Sequence, residues 1–237
     1  MKKSIAIVDC RICEQSVKKL QDAGFLVLRA SGFYRLSEGV RSHPDMLMLI
    51  EGESLFTHRE YFEANCELFE RIKERKPNLS FYLSDEKMLP EYPSDILFNA
   101  YIHGKAIFGK EDSLSLFVRQ LCKSGYLLQN VKQGYASCSC CRVGDGVITA
   151  DKALYRALTE KGIDILKIDE GHIALPCHDY GFIGGASGYA DGVVYFNGDI
   201  DTHPNSSDIR NFAERHGCRL VCLCDGMLTD VGKILFI

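Results

Sequence analysis

Apolar and polar positions along this chain fall into one recurring pattern. Residues 5–30, "IAIVDCRICEQSVKKLQDAGFLVLRA", open with a short apolar run that ends in an Asp. Val17 and Leu20 then share one helical face, with Cys13 a turn earlier, and a Gly leads into a second apolar run. Residues 147–169, "VITADKALYRALTEKGIDILKID", repeat this order, with Leu154, Ala157 and Leu158 on the helical face. Gly24 and Gly162 stand where a helix C-terminus favours a left-handed residue.

A strand, a tight glycine-containing turn and a second strand also recur. "CCRVGDGVITAD" is one instance. The others are "NAYIHGKAIFGK" from Asn99, "SGYADGVVYFNG" from Ser187, "LTDVGKILFI" from Leu228 and a looser "MLMLIEGESLFTH" from Met46. Helices are expected after three of them, over residues 59–75, 113–124 and 206–216. Apolar strands follow these at "LSFYL", "YLLQNV" and "RLVCLC". The repeating unit is therefore β-β-α-β, roughly 40 residues long, and it occurs five times. The last hairpin has no helix after it, and the first helix has no full hairpin before it. The two ends thus complete one unit and close a ring, which removes exposed sheet edges. An open array would need polar capping repeats, and none is visible. No linker or change of composition divides residues 1–237, so one domain is expected.

Net charge is −4 and the basic residues are scattered, so no nucleic-acid footprint appears. No apolar run approaches the roughly 20 residues of a membrane span. The basic start "MKK" is followed by an apolar stretch that Asp9 and Arg11 interrupt, unlike a secretory signal. A reducing cytoplasm is the expected setting for the 11 cysteines. Cys10, Cys13, Cys66, Cys122 and Cys218 fall in or beside expected helices and strands and read as core packing.

Cys138, Cys140 and Cys141 fall on an expected first strand that starts near Tyr135. Alternation puts Cys138 and Cys140 on one face and Cys141 on the other. Packing, a reactive thiol, a metal site and a redox pair all remain open for this trio. Cys222 and Cys224 would add metal ligands only if their strand were a neighbour. Cys138 is the candidate nucleophile, because its strand should reach the ring's channel; Lys132 and Tyr135 precede it closely. Pro44 fixes an extended entry that holds His43 and Asp45 at the channel mouth. His203-Pro204-Asn205 instead starts a helix, with Ser206 and Ser207 as caps. "GFIGGASG", residues 181–188, lacks a P-loop Lys-Ser/Thr pair. Its glycines mark close backbone approach in a first strand and leave room for a ligand, with the Ser187 hydroxyl at hand. The preceding "PCHDYG" is a loop tip whose His178 is able to swing over a pocket.

The closed ring of five units resembles the pentein, or guanidine-modifying enzyme, fold: a five-fold pseudosymmetric α/β propeller. The runs "SHPDMLM", "VKQGYASCSCC", "LPCHDYGFIGGASG" and "LTDVGKILFI" are similar to a bacterial family of unknown function within it. For catalytic penteins the resemblance implies a Cys that attacks a guanidino carbon, a His that shuttles the proton and carboxylates that hold the cation. That Cys ordinarily lies in the C-terminal hairpin, where this chain has Asp230. The His ordinarily opens the first strand of the fourth unit, yet no His occurs between Lys105 and Glu170. The carboxylates come from the second and third units, where Asp45 and Asp95 stand, with Asn99 nearby.

Two functions follow as expectations. One is an enzyme acting on a small guanidino or amidino molecule, with Cys138, His43, Asp45 and Asp230 catalytic and Asn99, Lys132, Tyr135 and Ser187 binding substrate. The other is a non-catalytic module that binds a small ligand or a macromolecule, as a ribosomal anti-association factor of the same fold does. No cofactor is expected and no metal ligand is assigned.

Overall fold

The computed structural model describes residues 4–237. Along the chain, β1 (Ile5–Asp9), α1 (Glu14–Asp22) and β2 (Leu26–Ala30) come first. A one-turn helix α2 (Pro44–Leu47) leads into β3 (Met48–Glu51) and β4 (Ser54–His58), then α3 (Arg59–Ala64), α4 (Cys66–Arg75) and β5 (Ser80–Ser84). The third unit comprises β6 (Tyr101–His103), β7 (Ala106–Gly109), α5 (Leu116–Gln120) and β8 (Leu127–Asn130). The fourth begins with a one-turn helix α6 (Ala136–Ser139) and continues with β9 (Cys141–Val143), β10 (Gly146–Thr149), α7 (Lys152–Thr159) and β11 (Ile165–Lys167). β12 (Ser187–Ala190), β13 (Val193–Phe196), α8 (Ser206–Arg215), β14 (Arg219–Cys222) and β15 (Leu235–Phe236) complete it.

These strands form five three-stranded sheets with the same internal order. In each, a first strand pairs antiparallel with a second, and the second pairs parallel with a third across the helix: β3-β4-β5, β6-β7-β8, β9-β10-β11 and β12-β13-β14. The fifth sheet is β15-β1-β2, made from the two ends of the chain. Its closure is reinforced by reciprocal backbone bonds between Ile5 and Ile237 at 2.8 and 3.0 Å. The C-terminal stretch therefore supplies one strand rather than a hairpin. Residues 230–233 turn inward instead and, as shown below, hold α2.

The central strands β1, β10 and β13 are buried at every residue, covered on both faces, and are therefore mostly apolar. Each buried Ile, Val or Leu contributes about 1.5–3 kcal/mol relative to exposure. The helices sit on these sheets by one apolar face, through Val17 and Leu20 in α1 and Leu154 and Leu158 in α7. The Asp151 carboxylate caps α7 by accepting from the Ala153 and Leu154 amides. Gly24 and Gly162 have φ of +99° and +75°, as their positions after α1 and α7 require. Asn205, rather than Ser206 or Ser207, is the residue before α8. No helix among the described residues is long and apolar enough to cross a membrane.

The expected core cysteines lie elsewhere. Cys10, Cys13, Cys66 and Cys122 are exposed and Cys218 is half-buried, because they occupy turns and helix starts while leucines and valines fill the interior.

Candidate functional site

Two one-turn helices, α2 and α6, carry the principal side chains. His43 stands immediately before α2, and the Asp45 amide donates to the Gly232 carbonyl at 3.0 Å. Gly232 has φ +69°, and a Cβ there would overlap His43. The Asp230 carboxylate accepts from the Gly232 amide through Oδ1 and from the Phe182 amide through Oδ2, both at 2.9 Å. A Cβ on Gly181 or Gly185 would strike Asp230. The glycine-dense stretch thus makes close approaches, as expected, but Asp230 fills the space it leaves. The stretch is also not a strand before Ser187.

The fourth unit departs from the expected strand. Residues 136–139 form a helical turn, and β9 starts only at Cys141. Asn99 explains the turn. Its Oδ1 accepts from the Ser137 and Cys138 amides at 2.9 and 3.4 Å, taking donors a strand ladder would have used. Its Nδ2 donates to Cys138 Sγ at 3.1 Å and to the Asp45 carbonyl at 3.3 Å. From the other side, Lys233 Nζ donates to the Ser137 and Cys140 carbonyls at 3.0 Å. The three neighbouring thiols enter three separate apolar clusters, so they do not converge. Among the described residues, no three His, Cys, Asp or Glu side chains are grouped to hold a metal ion. Cys222 and Cys224 contact Asp199 and Asn197 instead.

Cys138 Sγ donates to Asp45 Oδ2 at 2.9 Å. Burial, followed by the Asp45 charge, pushes this thiol well above its ordinary pKa, so it rests protonated. Burial also raises Asp45, against the opposing hydrogen bond from Cys138 and the charge of Lys233. Asp45 Oδ1 is buried without a partner.

His43 lies between two carboxylates, with Nε2 3.8 Å from Asp9 Oδ2 and Nδ1 3.8 Å from Asp230 Oδ1. Neither ring nitrogen has a hydrogen-bond partner. Burial lowers the His43 pKa in spite of Asp230 and Asp9, which leaves a neutral imidazole. Burial acts to raise Asp9, but hydrogen bonds and charge from Arg11 outweigh it and hold that carboxylate below its usual range. Burial raises Asp230, with the neighbouring His43 and the Gly232 and Phe182 amides opposing.

His43, Cys138 and Asp230 line a cleft of about 470 Å³. Asp95 lines it too: Tyr135 donates to its Oδ2 at 2.8 Å, while its Oδ1 is buried and unpartnered. Burial raises Asp95, the Tyr135 hydrogen bond opposing. Tyr135 stacks on Phe182 at 6.1 Å and tilts against Tyr92 at 5.5 Å. The loop containing His178, Asp179 and Tyr180 forms an exposed rim.

The sequence-derived candidates divide accordingly. Cys138, His43, Asp230 and Tyr135 share the cleft, with Asp45 and Asn99 bonded to the thiol behind it. Lys132 does not join them: it is exposed, and its backbone carbonyl accepts from Tyr92. Ser187 does not either. Its hydroxyl donates to the Gly184 carbonyl, and it lines a second cavity of about 200 Å³ together with Asp45 and Lys233. First strands of all five sheets line that second cavity, through Met48, Tyr101, Arg142, Ser187 and Leu235, whereas the thiol cleft is built by the segments before the strands. Asp9 was missed as a site residue, although the Asp closing the first apolar run was its signal.

The sequence matches the model of a family of unknown function, DUF6873, over residues 7–235. The chain belongs to the DUF6873 family. No curated protein matches it. Among solved structures, this DUF6873 chain is similar to DDAH from Pseudomonas aeruginosa complexed with citrulline. The TM-score is 0.61 at 11% identity, covering 99% of this chain and 97% of that one. It is similar to a dimethylarginine dimethylaminohydrolase in an adduct with 4-chloro-2-hydroxymethylpyridine, with a TM-score of 0.58 and 12% identity over 93% and 92% of the two chains. It is also similar to an amidinotransferase from Microseira wollei, with a TM-score of 0.58 and 12% identity over 91% and 73%. The DUF6873 ring is the pentein fold.

Proposed function

We propose that this DUF6873 protein is a thiol-dependent hydrolase or transferase acting on a small amidine or guanidine. The observation that carries this reading is the meeting of the Cys138 thiol and the unpartnered imidazole of His43 at one acidic cleft, with the carboxylate Asp45 bonded to the thiol from behind. An amidinium is planar and positive, so it suits carboxylates and aromatic faces. Its charge beside Cys138 favours the thiolate that burial alone disfavours. Sγ then attacks the amidino carbon as the thiol proton passes to Asp45, and the amine departs. Water or a second amine releases the amidino group. His43, neutral and free at both nitrogens, is the group that exchanges a proton with the leaving nitrogen or the incoming water.

A chloroacetamidine reagent tests this. It should label Cys138 about tenfold or more faster than the exposed Cys13, Cys66 or Cys122, whereas neutral iodoacetamide should prefer the exposed thiols. Asp45→Asn should slow the amidine reaction. Amidine labelling of Cys138 no faster than that of the surface thiols would remove the nucleophile. The second reading, a small-ligand-binding module without chemistry, is favoured by one observation: the thiol is protonated and bonded into a carboxylate. In that case ligand binds, as read by native mass spectrometry, and Cys138 stays unlabelled.

A further inference from the structure

We infer that the cleft selects an organic cation carrying no carboxylate, an alkylguanidine or alkylamidine rather than an amino acid. This deepens the reading above and rests on it. Asp95 is 2% exposed, and among the described residues its Oδ1 has no hydrogen-bond partner although the residue lines the cleft. A buried carboxylate oxygen of this kind is satisfied by a donor from the ligand. The second carboxylate oxygen is already held by Tyr135, so Asp95 is fixed in place to receive that donor. The rings of Tyr92, Tyr135 and Phe182 stand around it, faces that favour a positive group.

The same wall rejects a carboxylate. Asp179 and Asp230 line the cleft with Asp95, and among the described residues no Lys or Arg side chain does. Two nearby cations are engaged elsewhere. Arg11 is bound to Asp9 at 2.7 Å, and Lys110 lies over the Tyr92 ring at 5.2 Å. Two of the three lining phenols are also committed, Tyr135 to Asp95 and Tyr92 to the Lys132 carbonyl, while Tyr180 stands on the exposed rim. His43 is neutral and flanked by acids. A ligand carboxylate would therefore meet three carboxylates, with the rim imidazole of His178 as the one group of the described lining placed to offset them. Val40, Met46, Pro90 and Leu175 add an apolar part of the lining that suits an alkyl body.

The test is a matched pair of ligands, n-butylguanidinium and 4-guanidinobutanoate, which share a headgroup and differ by the terminal carboxylate. Calorimetric titration of the full chain near pH 7 should show butylguanidinium binding about tenfold or more tightly than the guanidino acid. Asp95→Asn should weaken butylguanidinium about tenfold or more while far-UV dichroism and the melting temperature show a folded protein. Equal or tighter binding of the guanidino acid overturns the inference, as does a failure of both ligands to bind or an unchanged affinity in the Asn variant. Chloroacetamidine labelling reads the chemistry separately. Rapid labelling of Cys138 with no discrimination between the two ligands sinks the selectivity alone. Discrimination without labelling sinks the chemistry alone.

Discussion

At the scale of single residues, the cleft is assembled from groups held in their less comfortable states. Asp95 illustrates this. Burial raises its pKa in the fold above the unfolded value, so folding favours its protonated form. That contribution is complete below about pH 4 and is lost as the pH rises through the unfolded and then the folded pKa. Asp95→Asn keeps an oxygen for Tyr135 and removes the charge. Urea denaturation should find the variant close to wild type at pH 3 and more stable by about 1 kcal/mol at pH 7. A variant less stable than wild type at pH 7 would mean that the carboxylate is paired in the apo protein after all. Asp45 and Asp230 are raised by burial in the same sense, whereas Asp9 is held low by Arg11. Only Asp9 of these four contributes stability that is lost as the pH falls. The residues that gather here were partly readable from the chain. His43 and Asp45 were marked by Pro44, and Cys138 by its dense thiol run. Lys132 lies outside the cleft because proximity in sequence says little about which way a turn faces, and Ser187, on β12, lines the second cavity instead.

At the scale of elements, regular segments and short turns behaved differently as objects of inference. The hairpins and the helices α1 and α7 carry periodic apolar positions and terminal glycines, so local chemistry predicts them. The helices α2 and α6 have only four residues each, too few for a period. Long-range partners decide them: the Gly232 carbonyl for α2, and the Asn99 side chain for α6. A pair of glycines tests that dependence. Gly192 and Gly232 have φ of +75° and +69°, but a Cβ on Gly192 meets nothing within 4 Å, whereas one on Gly232 overlaps His43. Gly192→Ala should cost about 1 kcal/mol from backbone strain alone. Gly232→Ala should cost at least about 2 kcal/mol more. Equal midpoints in chemical denaturation would show that α2 yields without loss.

At the scale of the whole molecule, ring closure was legible from what the chain lacked: a hairpin before its first helix and a helix after its last strand. The exact partition was not. The end was expected to bring a hairpin, but residues 230–233 bend inward to hold α2, leaving the two-residue β15 to meet β1. Deleting residues 235–237 should therefore unpair one edge of β1 and remove both Ile5–Ile237 bonds. Thermal unfolding should shift downward, with a loss of at least about 2 kcal/mol, and light scattering should report self-association through the bared edge. A truncated chain that melts like the full one would assign closure to side-chain packing rather than to the strand.

That closing ladder also makes the order of the blades arbitrary. With Ile5 and Ile237 already bonded, a short peptide joining them and a cut at an exposed turn between sheets would yield a circular permutant whose threading differs but whose neighbours do not. The cleft is drawn from turns of several blades, so it belongs to the circle rather than to any starting point along it.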